Sequence, residues 1–438
     1  MSSSSATRAG WRAWYTLALL TGVYIFNIAD RFVVSTLIEP IKGELHLSDS
    51  AIGFLTGTAL AIFYTGMGIP LGMIADRVDR RKLVAASLAI WSIMTAACGL
   101  AQNFVQLALA RIGVGTGEAG GTPASQSMLA DLFPFSRRVL ANSIFTLGAA
   151  GGSFLGGTVG GAVADAHGWR AAFYALGVPG VALALLVRFT LNEPARETSP
   201  TQREQAPPLA ETLRYIGRQR SLVHVLIAGT VVTYWGWGLL WWAPAFLARS
   251  HHLGTADAGG IIGSISGIGG ALGVGIGGLS VHVLSRLDAR WQVWVVGFAT
   301  LIGTAASVMA FGARDLSLVR MSLWVFVPVA YLNLAPLFSL TQSLVPSRMR
   351  GLCCAILLFG ANVANLALAP QIIGGLSDLF ATEFAAGAES LRYALLLTTA
   401  TGLWAAYHLF RAARDIRGDL KRVGVILNVD LAPNVSAV

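Results

Sequence analysis

Long apolar runs separated by short polar loops set the pattern of this chain. Residues 51–75 and 139–164 contain no charged side chain at all. A run of about 20 apolar residues is enough to cross a bilayer as a helix, and helices satisfy their own backbone polar groups there. Twelve such runs are readable, at about 13–38, 50–75, 83–101, 104–131, 138–164, 171–191, 221–248, 256–284, 291–311, 317–344, 351–378 and 391–411. The pattern therefore predicts an all-α membrane protein with twelve transmembrane helices. The third and fourth runs are parted only by Gln102-Asn103, and Arg320 falls in the first turn of the tenth.

One connection is long and polar, 192–220, with Glu193-Pro-Ala-Arg196 and Pro207-Pro208. It divides the chain into an amino-terminal six-helix bundle (1–191), a linker (192–220), a carboxy-terminal six-helix bundle (221–412) and a tail (413–438). The halves echo each other. Pro134, Gly148 and Gly161-x-x-x-Asp165 recur as Pro346, Gly360 and Gly374-x-x-x-Asp378, a shift of 212 to 213 residues. Two related halves are what a rocking carrier requires. The fifth and eighth runs are rich in glycine: Gly148, Gly152, Gly156 and Gly160 in one, Gly259/Gly263/Gly267 and Gly269/Gly273/Gly277 in the other. Such stripes let helices pack closely; they also give two halves smooth surfaces on which to tilt.

Composition agrees: 55% of residues are hydrophobic and 12% charged, against about 25% charged in soluble domains. The net charge of +9 would suit a nucleic-acid partner. Most Lys and Arg, however, sit at the termini and in the loops after the even-numbered runs, which the positive-inside rule reads as topology. Both termini are expected in the cytoplasm, with the first run retained as an anchor, and no nucleic-acid partner is expected. Cys98, Cys353 and Cys354 lie in apolar runs and form no metal or disulfide spacing. No nucleophile motif or nucleotide loop is present, so no enzyme activity, cofactor or metal is expected.

Charge inside an apolar run is costly and marks function. Arg111 and Glu118 share one face of the fourth run, roughly 10 Å apart along the axis. They are too distant to neutralise each other. Asp30-Arg31 in the first run are the nearest partners. Depth favours an Asp30–Arg111 pair, and adjacent residues point about 100° apart, so Arg31 must go elsewhere. It either lines a cavity as an anion site or props a neighbouring helix. Asp30, Glu118 and Arg111 are read as proton-coupling residues, with Arg111 alternating between Glu118 and Asp30. The plainer alternatives are a structural acid at 118 and a fixed counterion at 30.

The seventh run carries Tyr234-Trp235-Gly-Trp237-Gly-Leu-Leu-Trp241-Trp242. Tyr234, Trp237 and Trp241 share a face; Trp242 reads as an interfacial anchor. Arg31, Tyr234, Trp237, Asn362 and Asn365 are the candidate substrate contacts. His224 and His408, near cytoplasmic helix ends, are read as having no coupling role.

Gly72-Met-Ile-Ala-Asp76-Arg77-Val-Asp79-Arg80-Arg81-Lys82, after the second run, resembles the signature loop of the major facilitator superfamily. Arg111 with its following glycines, Gly168-Trp169-Arg170-Ala-Ala-Phe173 and Val178-Pro179-Gly180 fit the same superfamily. Within it, Ala29-Asp30-Arg31, Leu47-Ser-Asp-Ser-Ala-Ile-Gly53, Trp91-Ser92 and Arg111 through Glu118-Ala119 with Asp131-Leu-Phe-Pro134 resemble the Spinster branch. The likeness is strong from about 24 to 190 and thin afterwards, with His282 where the second half's loop should carry an acid. It implies a twelve-helix carrier switching between inward-open and outward-open states, with Asp76, Arg77, Arg80 and Arg81 in the cytoplasmic gate. The expected function is proton-coupled transport of a small amphipathic or anionic solute, lysolipids included. The expected setting is a bacterial inner membrane, and the expected state a monomer whose partners are solute, protons and membrane lipids. The alternatives are an organic-anion/proton symporter, whose relatives share the same charged positions, and a non-transporting membrane sensor.

Overall fold

The computed structural model describes residues 10–64, 66, 78–194 and 208–424. Within these, helix dominates and the twelve expected runs are found as α1 (Trp11–Thr36), α2 (from Asp49), α3 (Arg80–Cys98), α4 (Phe104–Leu132), α5 (Phe135–Phe154 continuing to His167), α6 (Trp169–Thr190), α7 (Arg220–His251), α8 (Thr255–Ser264 continuing to Leu284), α9 (Trp291–Gly312), α10 (Leu316–Leu332 and Leu334–Ser343), α11 (Arg350–Asn362 continuing to Glu383) and α12 (Ser390–Arg422). Two short helices lie outside this numbering, Ile38–Leu45 and Leu209–Arg218. Several starts are fixed by side chains that accept from an otherwise orphaned backbone N–H. Ser48 accepts from Ala51, Asp79 from Lys82, Asn103 from Gln106 and Asp315 from Leu318. Among the described residues nine helices are by themselves long and apolar enough to span a membrane. The other three expected spans are α2, described only in part, α4, whose hydropathy Arg111 and Glu118 depress, and α12, whose apolar stretch holds His408 and is bounded by Arg392 and Arg411.

α12 outruns its expected end. Asp419, buried, accepts from the backbone N–H and hydroxyl of Ser221 (3.0 and 2.6 Å), which ties the last turns to the start of α7. Likewise Tyr15 at the start of α1 donates to Thr190 at the end of α6 (2.8 Å). These contacts gather the beginning of α1, the linker and the end of α12 on one face, called here the linker face. The other is the far face.

The two halves meet through α2 against α11, α5 against α8, and α1 against α7. Contact at α5–α8 is backbone to backbone: a Cβ added at Gly157 would lie 2.8 Å from the Cα of Gly263. On the other side of α5, Gly148, Gly152, Gly156 and Gly160 all face α1, where added Cβ atoms would strike Thr21, Ile25, Ala29 and Val33 in turn. Each of α2, α5, α8 and α11 contains one wider, π-helical turn: Phe54–Thr58, Leu155–Val159, Ile265–Gly269 and Val363–Leu368. Such turns recur where helices must move or serve a site.

Candidate functional site

α1 and α4 bring four charges from the middle of their spans, Asp30, Arg31, Arg111 and Glu118, into two pairs. Arg111 Nη1 lies 2.7 Å from Asp30 Oδ2, and its Nε points at the Leu55 carbonyl (3.4 Å). Thr95 of α3 donates to the other oxygen of Asp30. Arg31 donates twice to Glu118, from Nε (3.0 Å) and Nη2 (2.6 Å), both onto Oε2. The Arg31 guanidinium also lies over the Tyr64 ring, 5.0 Å from its centroid. The Asp30–Arg111 pair is as depth suggests. Of the two placements expected for Arg111 this structure holds the one on Asp30, supported by Thr95 and the Leu55 carbonyl, and Arg31 takes Glu118. Arg31, open to a role as cavity anion site or as a prop for a neighbouring helix, is in this structure bound to Glu118 of α4.

Burial is nearly total: Asp30 is 2% exposed, Arg111 and Glu118 0%. Arg31 is the outlet, with 14% of its side chain exposed. Two atoms keep unused capacity. Arg111 Nη2 and Glu118 Oε1 are buried with no partner. Leaving such valences empty in a low-dielectric interior is costly, and a carboxylate oxygen left open is where a proton can be accepted. The four charges sum to zero, so one added proton leaves a net positive site.

The α7 stripe stands against this site through α1. Trp237 packs on Tyr331 of α10 (centroids 4.9 Å apart) and Trp241 (5.5 Å), and Phe32, next to Arg31, meets Trp241 at 5.1 Å. Tyr234 is half-buried one turn towards the linker face. Trp242 corrects the expectation of an interfacial anchor: it is fully buried, as is Trp235, because α7 runs through the interior of its half. Asn362 and Asn365 are half-buried on α11, and Asn365 donates to the Ala361 carbonyl of its own helix (3.2 Å). Neither contacts the ion pairs. The Nδ1 atoms of His224 and His408 lie 2.8 Å apart near the linker face, and Trp404 donates to His408 Nε2 (3.0 Å).

Asp76 and Arg77 lie outside the described residues. Arg80 reaches Glu193 (2.7 Å), Ser127 (2.9 Å), Asp131 and the Pro194 carbonyl (3.2 Å). Arg81 binds Asp79 (3.0 Å) and the Leu191 carbonyl (3.2 Å). These contacts clamp the start of the linker onto α3 and α4, all within the amino-terminal half and linker.

The far face carries a lock that sequence reading missed. Arg249, after the aromatic stripe, grips Asp49 through both terminal nitrogens (2.6 and 2.7 Å) and Glu39 through Nε (2.7 Å). Ser377 donates to Asp49 (2.6 Å), and Asp378 accepts from the backbone N–H groups of Asp49 and Ser50 (2.9 and 2.8 Å). Asp49 is the first residue of α2, just ahead of the apolar run that begins at 50. Burial pushes its carboxyl up, but Arg249 and then Lys42 and Ser377 outweigh that and hold it at about 2. The signal available was the quoted Leu47–Gly53 stretch and the Asp378 of the repeat. Their pairing across more than 300 residues carried none.

The family model described as Major Facilitator Superfamily matches residues 20–406. An MFS-type efflux pump of Mycolicibacterium smegmatis is 35% identical over 393 residues, covering 89% of this chain and 90% of that protein. Protein spinster homolog 1 of Mus musculus is 27% identical, covering 93% and 81%. The crystal structure of a bacterial homolog to the human lysosomal transporter Spinster, in an inward-facing and unoccupied conformation, superposes with a TM-score of 0.84. It is 27% identical, with 93% of this chain and 98% of that chain covered.

Proposed function

Given that this chain belongs to the Major Facilitator Superfamily, as a Spinster-like transporter, we propose that it is proton-coupled and moves a small amphipathic or anionic solute, lysolipids included. The observation that carries the proposal is the Arg31–Glu118 pair with its open oxygen: Glu118 Oε1 has no partner, and Arg31 is the one member of the quartet that reaches an exposed surface. Protonating Glu118 removes the charge that holds Arg31. The freed guanidinium then meets an anionic group of the solute, while Phe32, Trp241 and Trp237 offer the apolar wall beside it. Losing the proton restores the pair and expels the anion. Asp30–Arg111 stays shut throughout as the fixed reference.

Alternating access supplies the rest. The Arg249–Asp49 lock and the α5–α8 contact hold the far face closed, which supports an inward-facing state like that of the Spinster homolog. We place the protein in the bacterial inner membrane as a monomer, with both termini cytoplasmic; reporter fusions after Arg203 and Arg422 should both read cytoplasm, and a periplasmic signal from either overturns that topology.

The test is flux. Proteoliposomes with an imposed pH gradient should move a member of a panel of lysophospholipids and short sugar acids, and collapsing the gradient should stop accumulation. Uptake of sugar acids alone would assign an organic-anion/proton symporter. Binding that thermally stabilises the protein without any flux would make it a sensor.

A further inference from the structure

α10 is broken at a point its sequence dictates. Pro336 has no N–H to offer the Leu332 carbonyl, and its ring crowds that same carbonyl. The helical hydrogen bonding lapses at Asn333, between Leu332 and Leu334, while the Asn333 backbone keeps helical angles (φ −73°, ψ −33°). Asn333 occupies the break, 2% exposed, and both its amide nitrogen and its oxygen lack a partner. Two ordinary explanations fail. The side chain caps nothing, although it precedes the second segment of α10. It also makes no hydrogen bond to another helix, so it does not act as glue. What it does is line a small cavity with Thr233, Trp237, Leu337, Leu357 and Ala361, from α7, α10 and α11. The Thr233 hydroxyl gives its proton to the Gly229 carbonyl, which leaves its oxygen free to accept. Burying an unpaired carboxamide in a membrane interior is unfavourable unless the partner arrives from outside.

We propose that Asn333 is the polar anchor of the solute site in the carboxy-terminal half. Its carboxamide receives a neutral group of the solute that both donates and accepts a hydrogen bond, such as a hydroxyl or primary amide, beside the Trp237 ring. This rests on the transport reading above and adds a chemical demand to it. The anionic part of the solute meets Arg31, and a second, uncharged polar part must reach Asn333 on the other side of the Phe32–Trp241–Trp237 wall.

A matched pair of lipids tests this in the full-length protein: oleoyl-lysophosphatidic acid, whose glycerol-backbone hydroxyl is its only alcohol group, and the analogue methylated at that oxygen. Asn333→Leu removes the orphan amide, so the variant should melt at or above the wild-type temperature. It should bind the hydroxyl-bearing lipid roughly tenfold more weakly and the methylated one unchanged, because an anchor lost on the protein side matters only where the ligand offers its mate. Asn333→Cys on a C98A/C353A/C354A background should react with a small methanethiosulfonate reagent well above a Leu340→Cys control. A lower melting temperature for Asn333→Leu makes the residue structural and overturns the proposal, as does equal loss of both lipids or an unreactive thiol at 333. If the wild type takes neither lipid, the lysolipid reading fails by itself, and the labelling result decides the place of Asn333.

Discussion

By order within their six-helix halves, α1 and α4 correspond to α7 and α10. The first pair carries Asp30, Arg31, Arg111 and Glu118; the second carries Trp237, Trp241, Tyr331 and Asn333. One helix crossing has thus been furnished twice, once with charge and once with aromatic and amide groups. Charges in a low-dielectric interior persist only when paired, since an uncompensated partner costs about 3–5 kcal/mol. Aromatic walls carry no such demand and stabilise by packing. On the transport reading proposed above, the proton belongs with the charged crossing and the solute's apolar body with the aromatic one.

The hardest break of that comparison is Glu118→Gln, which keeps the size and removes the titration. Gradient-driven transport should fall to background in proteoliposomes while solute binding survives, and Glu118→Asp should keep weak coupled transport. Full flux in the Gln variant would leave Asp30 as the coupling acid. Asp30→Asn comes next, because it strands Arg111. Unfolding in detergent should show a loss of about 3–5 kcal/mol, against little change for Asn333→Leu across the pseudo-symmetric crossing. Asp49→Asn should weaken the far-face lock and move the population towards the outward-open state by roughly tenfold, one hydrogen-bonded charge pair being worth about 1.5–3 kcal/mol. Spin labels on the far ends of α2 and α11 would report it. The sign of its pH dependence follows from the low Asp49 value. Its contribution is complete above the ordinary carboxylate range and is lost only as pH falls through about 2, so the lock should be constant from about pH 5 to 8. Any pH response in that range must come from elsewhere. Smallest of all, Trp242→Phe should cost about 1 kcal/mol of stability and leave transport untouched, whereas Trp237→Phe should alter solute affinity by a few fold with coupling intact.

Much of this was written in the sequence because the bilayer imposes a simple rule. Long apolar runs gave the spans, and charges inside them gave Asp30, Arg31, Arg111 and Glu118 before any coordinates. Which arginine meets which acid was half legible. Helix rise selected Asp30–Arg111, but the direction of the Arg31 side chain needed the fold. Trp242 was misread because adjacent tryptophans near a helix end look like an interfacial belt, and only tertiary packing tells a central helix from a peripheral one. Arg249 follows directly on the seventh apolar run, and its partners Glu39 and Asp49 lie some 200 residues away, so the sequence carried no sign of their pairing. Asn333 carried a signal that went unused: Asn-Leu-Ala-Pro inside an apolar run announces a broken helix and a polar group with nowhere to go.

The glycine row of α5 has one more consequence, which concerns angular phase. In an α-helix a step of four residues overshoots one turn by about 40°, so the three steps from Gly148 to Gly160 should carry the row about 120° around the helix. All four glycines nevertheless face α1. The wider turn at Leu155–Val159 lies within the row, and in such a turn four residues fall short of a full revolution. It winds the row back by part of what the narrower turns have wound forward. The wider turn thus takes up part of the drift on the α5 side of the seam, whereas the matching row of α1, Thr21, Ile25, Ala29 and Val33, makes the same three steps in unbroken α-helix. A chain that kept every glycine but lost Thr158 would put the seam out of phase halfway down, and Gly160 would no longer meet Val33.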